Sequence, residues 1–122
     1  MTNDLHGVRL EPDGTQRDII VAAHNLHDTL RRELDGPVEF GHYGTVESAV
    51  SLAVHEFSAL NGSPVNGPAT AFVSALRGEQ LSYWLHGSVI LFGYDPQRGD
   101  LVDLSDEQRT TLSKIPAVGG AA

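Results

Sequence analysis

The chain of 122 residues has no cysteine, and this absence excludes disulfides, thiol nucleophiles and thiolate metal sites together. A cytoplasmic setting is the expectation for such a composition. No apolar run approaches the roughly eighteen residues a spanning helix needs, and the N-terminus MTNDLHGVRL lacks a basic stretch followed by an apolar one. The chain is therefore expected neither to be exported by that route nor to enter a membrane. Positive charge is also scarce, with eight Lys and Arg against sixteen Asp and Glu. The resulting field repels the phosphate backbone that dominates nucleic-acid affinity, so direct DNA or RNA binding is disfavoured. Mimicry of nucleic acid needs carboxylates in rows, whereas here they are dispersed apart from a modest cluster between Asp95 and Glu107.

What is present is ordinary globular material: 40% hydrophobic and 20% charged residues, enough for a core that needs no staples. No repeat or linker divides the chain, so residues 1–116 read as one domain and residues 117–122, AVGGAA, as a flexible tail. Val8 and Leu10 alternate with Arg9 and Glu11, EPDGT turns the chain, and Ile19, Ile20 and Val21 run back, which predicts a hairpin. In NLHDTLRRELDGP, Asn25 can cap, Leu26, Leu30 and Leu34 share a helical face, and Gly36 with Pro37 stops the helix. PVEFGHYG favours a strand, and PATAFVSALRG a second helix with proline in its first turn and Gly78 at its end. Ser88 to Phe92 reads as a buried strand, Asp95 to Gly99 as a turn before a short return strand, and Ser105 with Gln108 as the capping box of a last helix ending near Ile115. Residues 46–57 fit a helix and a strand equally by periodicity. The sum is an α+β fold: a mainly antiparallel sheet of about five to six short strands with two to three packed helices.

Signatures of chemistry are missing. His24 and His27 stand three apart beside Asp28, but no third and fourth ligand is spaced to complete a zinc site. His55 and Glu56 are followed by Phe57, Ser58 and Ala59 rather than a second histidine, which excludes the usual metalloprotease spacing. Ser88 follows a glycine, yet a nucleophile elbow needs glycine on both sides at a strand-to-helix turn. SPVNGPAT leads into a helix, but Pro68 removes an amide and no cation follows until Arg77, so it is no P-loop. No catalytic residue, cofactor or metal is assigned. Tyr43, Phe57, Phe72, Tyr83, Trp84, Phe92 and Tyr94 are too separated for a nucleic-acid stacking strip and read mostly as core. Tyr83 and Trp84, preceded by polar RGEQ and followed by His86, are the exception and suit an exposed binding edge. The candidate binding surface is Tyr43, Asn66, Tyr83, Trp84 and His86, with Asn66 free either to cap the helix it precedes or to face a ligand.

From Leu26 to about Ile115 the chain resembles the domain-of-unknown-function family numbered 3846, small proteins of phages, actinobacteria and mobile elements. The landmarks are LRRELDGPVEF, VSLAVHE leading to LNGSPVNGPAT, LHGSVILFG and DLSDEQ. The resemblance implies a strand over residues 50–55 that forms a hairpin with residues 59–63. Ser58 stands where the family usually has a turn glycine, so the reversal falls either there or at Asn61 and Gly62. It implies no reaction, cofactor or catalytic residue. The expected function is that of a non-enzymatic accessory or inhibitory protein binding a host protein or a second copy of itself. The alternative is a small-molecule binder that sequesters a signalling nucleotide, with Arg31, Arg32 or Arg77 gathered by oligomerisation. An acidic nucleic-acid mimic and an uncharacterised enzyme rank below both.

Overall fold

The computed structural model describes residues 4–115. The tail expected at 117–122 lies outside them. Six strands form one antiparallel sheet with three α-helices against it, an α+β domain. Strand β1 (Asp4–Leu10) and β2 (Gln16–Ala22) make the first hairpin; α1 (Leu26–Leu34) leads to β3 (Val38–Gly44) and β4 (Ala49–His55); α2 (Gly67–Arg77) precedes β5 (Val89–Asp95), β6 (Asp100–Val102) and α3 (Asp106–Ser113). The strand order is β2-β1-β5-β4-β3, and β6 pairs with β5 at Gly93 to Asp95, beyond the stretch of that strand that β1 occupies.

Alternation along the central strands divides the core. Val89 and Leu91 of β5 join Val8, Leu10, Val50 and Leu52 under Phe72 and Val73 of α2 and Leu112 of α3. Ile90 and Phe92, pointing the other way, meet Ile19, Val21 and Ala53 under Leu30 and Leu34 of α1. Helices therefore cover both faces of the sheet, which is why VILFG reads as an unbroken apolar run rather than an alternating one. Burial of Phe72 alone contributes about 2 to 3 kcal/mol of transfer free energy.

The ambiguous segment is a strand because it is flanked on both sides: β4 pairs with β3 from Val38↔His55 to Gly44↔Ala49 and with β5 from Ala49↔Tyr94 to Val54↔Val89. Its hairpin partner corrects the expectation. That partner is β3, across a turn closed by reciprocal Thr45 and Ser48 backbone bonds, and not residues 59–63. After β4 the chain instead winds through turns, where Ser58 N–H donates to the His55 carbonyl, and Asn61 Oδ1 accepts from the Ser63 amide at 3.1 Å in an Asx-type turn. The Asn61-Gly62 pair thus shapes a loop and closes no strand pair, although Gly62 does take positive φ at 84°.

Both ends of α1 differ from the sequence expectation. Asn25 makes no side-chain cap bond, since a short 3₁₀ turn at Ala23–Asn25 feeds α1, and the left-handed residue at its end is Asp35 (φ 59°) rather than Gly36. Gly36 follows with positive φ as well (155°), and a Cβ there would also meet the His55 imidazole. Around α3 the capping box forms in full, with Ser105 Oγ accepting from Gln108 N–H and Gln108 Oε1 accepting from Ser105 N–H, both at 3.0 Å.

Candidate functional site

Asn66 is the pin from which the site is built. It is fully buried; its Oδ1 accepts from Ala69 N–H at 2.9 Å at the start of α2, while Nδ2 donates to the carbonyls of Leu10 at 3.0 Å and Gly87 at 2.8 Å. One side chain thus caps a helix and ties it to β1 and to the chain entering β5. With its polar atoms engaged in the interior, Asn66 supports the site and offers no surface to a ligand.

The segment between α2 and β5 is held from both sides. Thr70 Oγ1 accepts from Leu85 N–H at 3.0 Å and Ser74 Oγ from Leu81 N–H at 3.1 Å. Asn66 N–H donates to Leu85 O, Gly87 N–H donates to Pro64 O, and Val65 and His86 form an isolated bridge. Leu81 is pulled into the core, and the residues between the anchors are pushed out: Tyr83 is 49% and Trp84 57% exposed.

Below them lies the face of the sheet at its β3 edge. Glu39, Gly41 and Tyr43 of β3, Leu52, Val54 and His55 of β4, Glu56, Ser58 and Ala59 of the turn that follows, and Tyr83 to His86 together line a cavity of about 300 Å³. The Tyr43 ring folds back across Gly41, where a Cβ would lie 2.8 Å from Tyr43 Cε2, and its hydroxyl meets that of Tyr83 at 2.6 Å. Burial, then the Tyr83 hydrogen bond, raises the Tyr43 pKa above the ordinary tyrosine value, so the phenol stays protonated. His86 Nδ1 lies 3.0 Å from the Ser63 carbonyl, so the nitrogen carries its proton there and leaves Nε2 as an acceptor when the ring is neutral. His55 Nδ1 accepts from Phe57 N–H at 3.0 Å, which puts the neutral ring's proton on Nε2. Four of the five residues singled out in the sequence, Tyr43, Tyr83, Trp84 and His86, therefore line one cavity. The sequence reading missed Glu39, Gly41, His55 and Glu56, whose signal was the alternation of β3 and the turn after β4.

The other candidates do not converge. His27 is on α1 with its ring 6.3 Å from that of Phe40, His24 lies in the preceding 3₁₀ turn, and no group of three or more His, Asp or Glu among the described residues is arranged to hold a metal. Ser88 just precedes β5 and takes a bond from Arg9 Nη2 at 3.3 Å. His42 and Ser51 bond across β3 and β4, and the imidazole stacks on Tyr94 at 4.0 Å, but Ser51 is fully buried and cannot reach a substrate. A second cavity of about 380 Å³ adjoins the first, sharing His55 and Ser58 and reaching Arg9 and Ser88. Its arginine is committed to Glu33 at 2.9 Å, which also binds Arg17 at 2.7 Å. No helix among the described residues is long and apolar enough to cross a membrane.

The fold and this site define a small α+β domain with an aromatic cavity beside an edge strand. Comparison with protein-family models, curated proteins and solved structures finds no match.

Proposed function

We propose that the chain is a non-enzymatic binding module that engages a partner protein through the cavity between β3 and the Tyr83 to His86 segment. The observation that carries this reading is the exposure of Tyr83 and Trp84 at the rim of a cavity. Tyrosine and tryptophan supply large, stiff contact areas and dominate the energetics of protein interfaces. The resemblance to the 3846 family supports an accessory or inhibitory role for a phage or mobile element, with a host protein as the partner.

Trp84 is the only tryptophan, so it serves as both contact and reporter. The test is selection of a displayed random peptide library against the immobilised protein, followed by titration of the enriched sequences with Trp84 emission as readout. Enriched sequences should shift that emission and lose affinity for Trp84→Ala by about tenfold or more. Sequences that bind Trp84→Ala as well as the parent would overturn the proposal, as would a selection that enriches none.

Sequestration of a nucleotide draws on the same cavity, whose volume stands at the low end of small-ligand pockets. It is the weaker reading because no Arg or Lys lines that cavity: Arg31 and Arg32 border a shallow cleft with Asp28 and Asp35, and Arg77 pairs with Glu79 at 2.9 Å. A nucleotide panel that raises the melting temperature would reverse this order.

A further inference from the structure

Strand β3 is an edge, and its free backbone groups can be assigned. Glu56 N–H donates to the Pro37 carbonyl, and Thr45 and Ser48 exchange both bonds, so the odd-numbered residues between them are the hydrogen-bonded partners of β4 in the register that pairs Val38 with His55. Val38, Phe40, His42 and Gly44 consequently turn their N–H and C=O groups away from the sheet. None of these groups bonds elsewhere among the described residues.

The two edges of the sheet are not alike. The β2 edge carries Gln16, Arg17 and Asp18, exposed and of mixed charge, which is how proteins discourage a further strand. The β3 edge carries one charge, Glu39, with two glycines, and no residue of it is buried. Its cavity-lining residues are Glu39, Gly41 and Tyr43.

Charge selects the occupant. Glu39 and Glu56 are the carboxylates that line the cavity, no Arg or Lys lines it, and the chain has a net charge of −8. Arg77 is near enough to act on Tyr43 but is held by Glu79. An acidic cavity with the rings of Tyr43, Tyr83 and Trp84 suits a guanidinium, which stacks on aromatic faces and donates in parallel to a carboxylate. A second copy of this acidic chain would bring like charges to the same edge.

Resting on the partner-binding reading above, we infer that β3 accepts an extended peptide of the partner as a seventh strand, with an arginine opposite Gly41 entering the cavity. Position 41 faces a site without hydrogen bonds in the added pair, where opposed side chains come closest and share a face. The peptide residues on either side of that arginine exchange backbone bonds with Phe40 and His42. Main-chain bonds supply affinity and the arginine supplies selectivity.

The test is calorimetric titration of the protein with acetyl-Thr-Val-Arg-Val-Thr-amide, with hydrogen exchange of the β3 amides followed by NMR. The peptide should bind, shift Trp84 emission and slow exchange at Phe40 and His42. Replacing its arginine by citrulline, N-methylating the two valines, or changing the protein by Glu39→Gln should each weaken binding about tenfold. If the N-methylated peptide binds equally and the amides stay unprotected, the added strand is refuted while partner binding at the cavity stands. Equal binding of the citrulline peptide refutes the arginine. If the peptide fails to bind while library selection yields Trp84-dependent sequences, this inference alone falls; if both fail, the partner-binding reading falls with it.

Discussion

The hydroxyls of Tyr43 and Tyr83 meet at 2.6 Å across 40 positions of sequence, joining the edge strand to the loop that carries Trp84. The bond holds one phenol in a partly buried place, where burial and the Tyr83 contact raise its pKa above the ordinary 10.0. A raised value means the protonated form is favoured in the folded chain. The stability this contributes is fully present below about pH 10, where an unfolded tyrosine keeps its proton, and is lost as pH rises from there through the folded-state value. Denaturant unfolding of the parent should weaken above that pH, and Tyr43→Phe should show a flatter profile. Identical profiles would show that the phenol is not held in this way.

A second pH dependence, of opposite sense, is expected from Glu33. Burial would raise its pKa, but hydrogen bonds from Arg9 and Arg17 outweigh it and hold the carboxyl below its ordinary 4.5. Its contribution is present above the unfolded value and is lost as pH falls through the depressed folded one. Acid unfolding of Glu33→Gln should therefore show a smaller loss of stability below about pH 4.5 than the parent shows.

Asn66→Ala removes a helix cap and leaves the carbonyls of Leu10 and Gly87 without their donor. The expected cost is about 3 kcal/mol, read by chemical denaturation. Asn66→Asp should not restore it, because the second carboxylate oxygen would face two carbonyl oxygens. Full rescue by aspartate would reduce the role of Asn66 to the cap alone.

Gly41→Ala should push the Tyr43 ring aside, since the new Cβ would lie 2.8 Å from its edge. The ring is a movable side chain, so the loss of stability should be modest, about 1 kcal/mol. The change at the cavity should be larger: Trp84 emission should shift, and the partner sequences of a peptide selection should bind more weakly. An unchanged emission and affinity would show that the Tyr43 position is immaterial to the site.

Where a structural decision rests on a few neighbouring residues, it could be read directly. The β1–β2 turn follows from EPDGT, with Gly14 at φ 93° and Asp13 Oδ1 accepting from Thr15 N–H at 2.8 Å. The α3 capping box follows from Ser105 and Gln108, and the start of α2 from Asn66 and Pro68. Asn61-Gly62 shows the limit of such reading, because the same dipeptide suits a hairpin or a loop, and the apolar residues around it do not choose.

The amino-acid sequence by itself determined the α+β class, most of the element positions and the acidic charge balance, because local dihedral preferences, hydrophobic period and charge are properties of short segments or of composition. Tertiary structure decided that residues 49–55 are a central strand, since flanking strands and helices on both faces bury a segment whose own periodicity is ambiguous. It also decided which polar residues turn inward. Asn66 stands in a loop-like stretch yet is buried beneath two long-range carbonyls, while Tyr43 and Trp84, distant in sequence, border one cavity because β3 and the α2–β5 segment are brought to the same edge of the sheet.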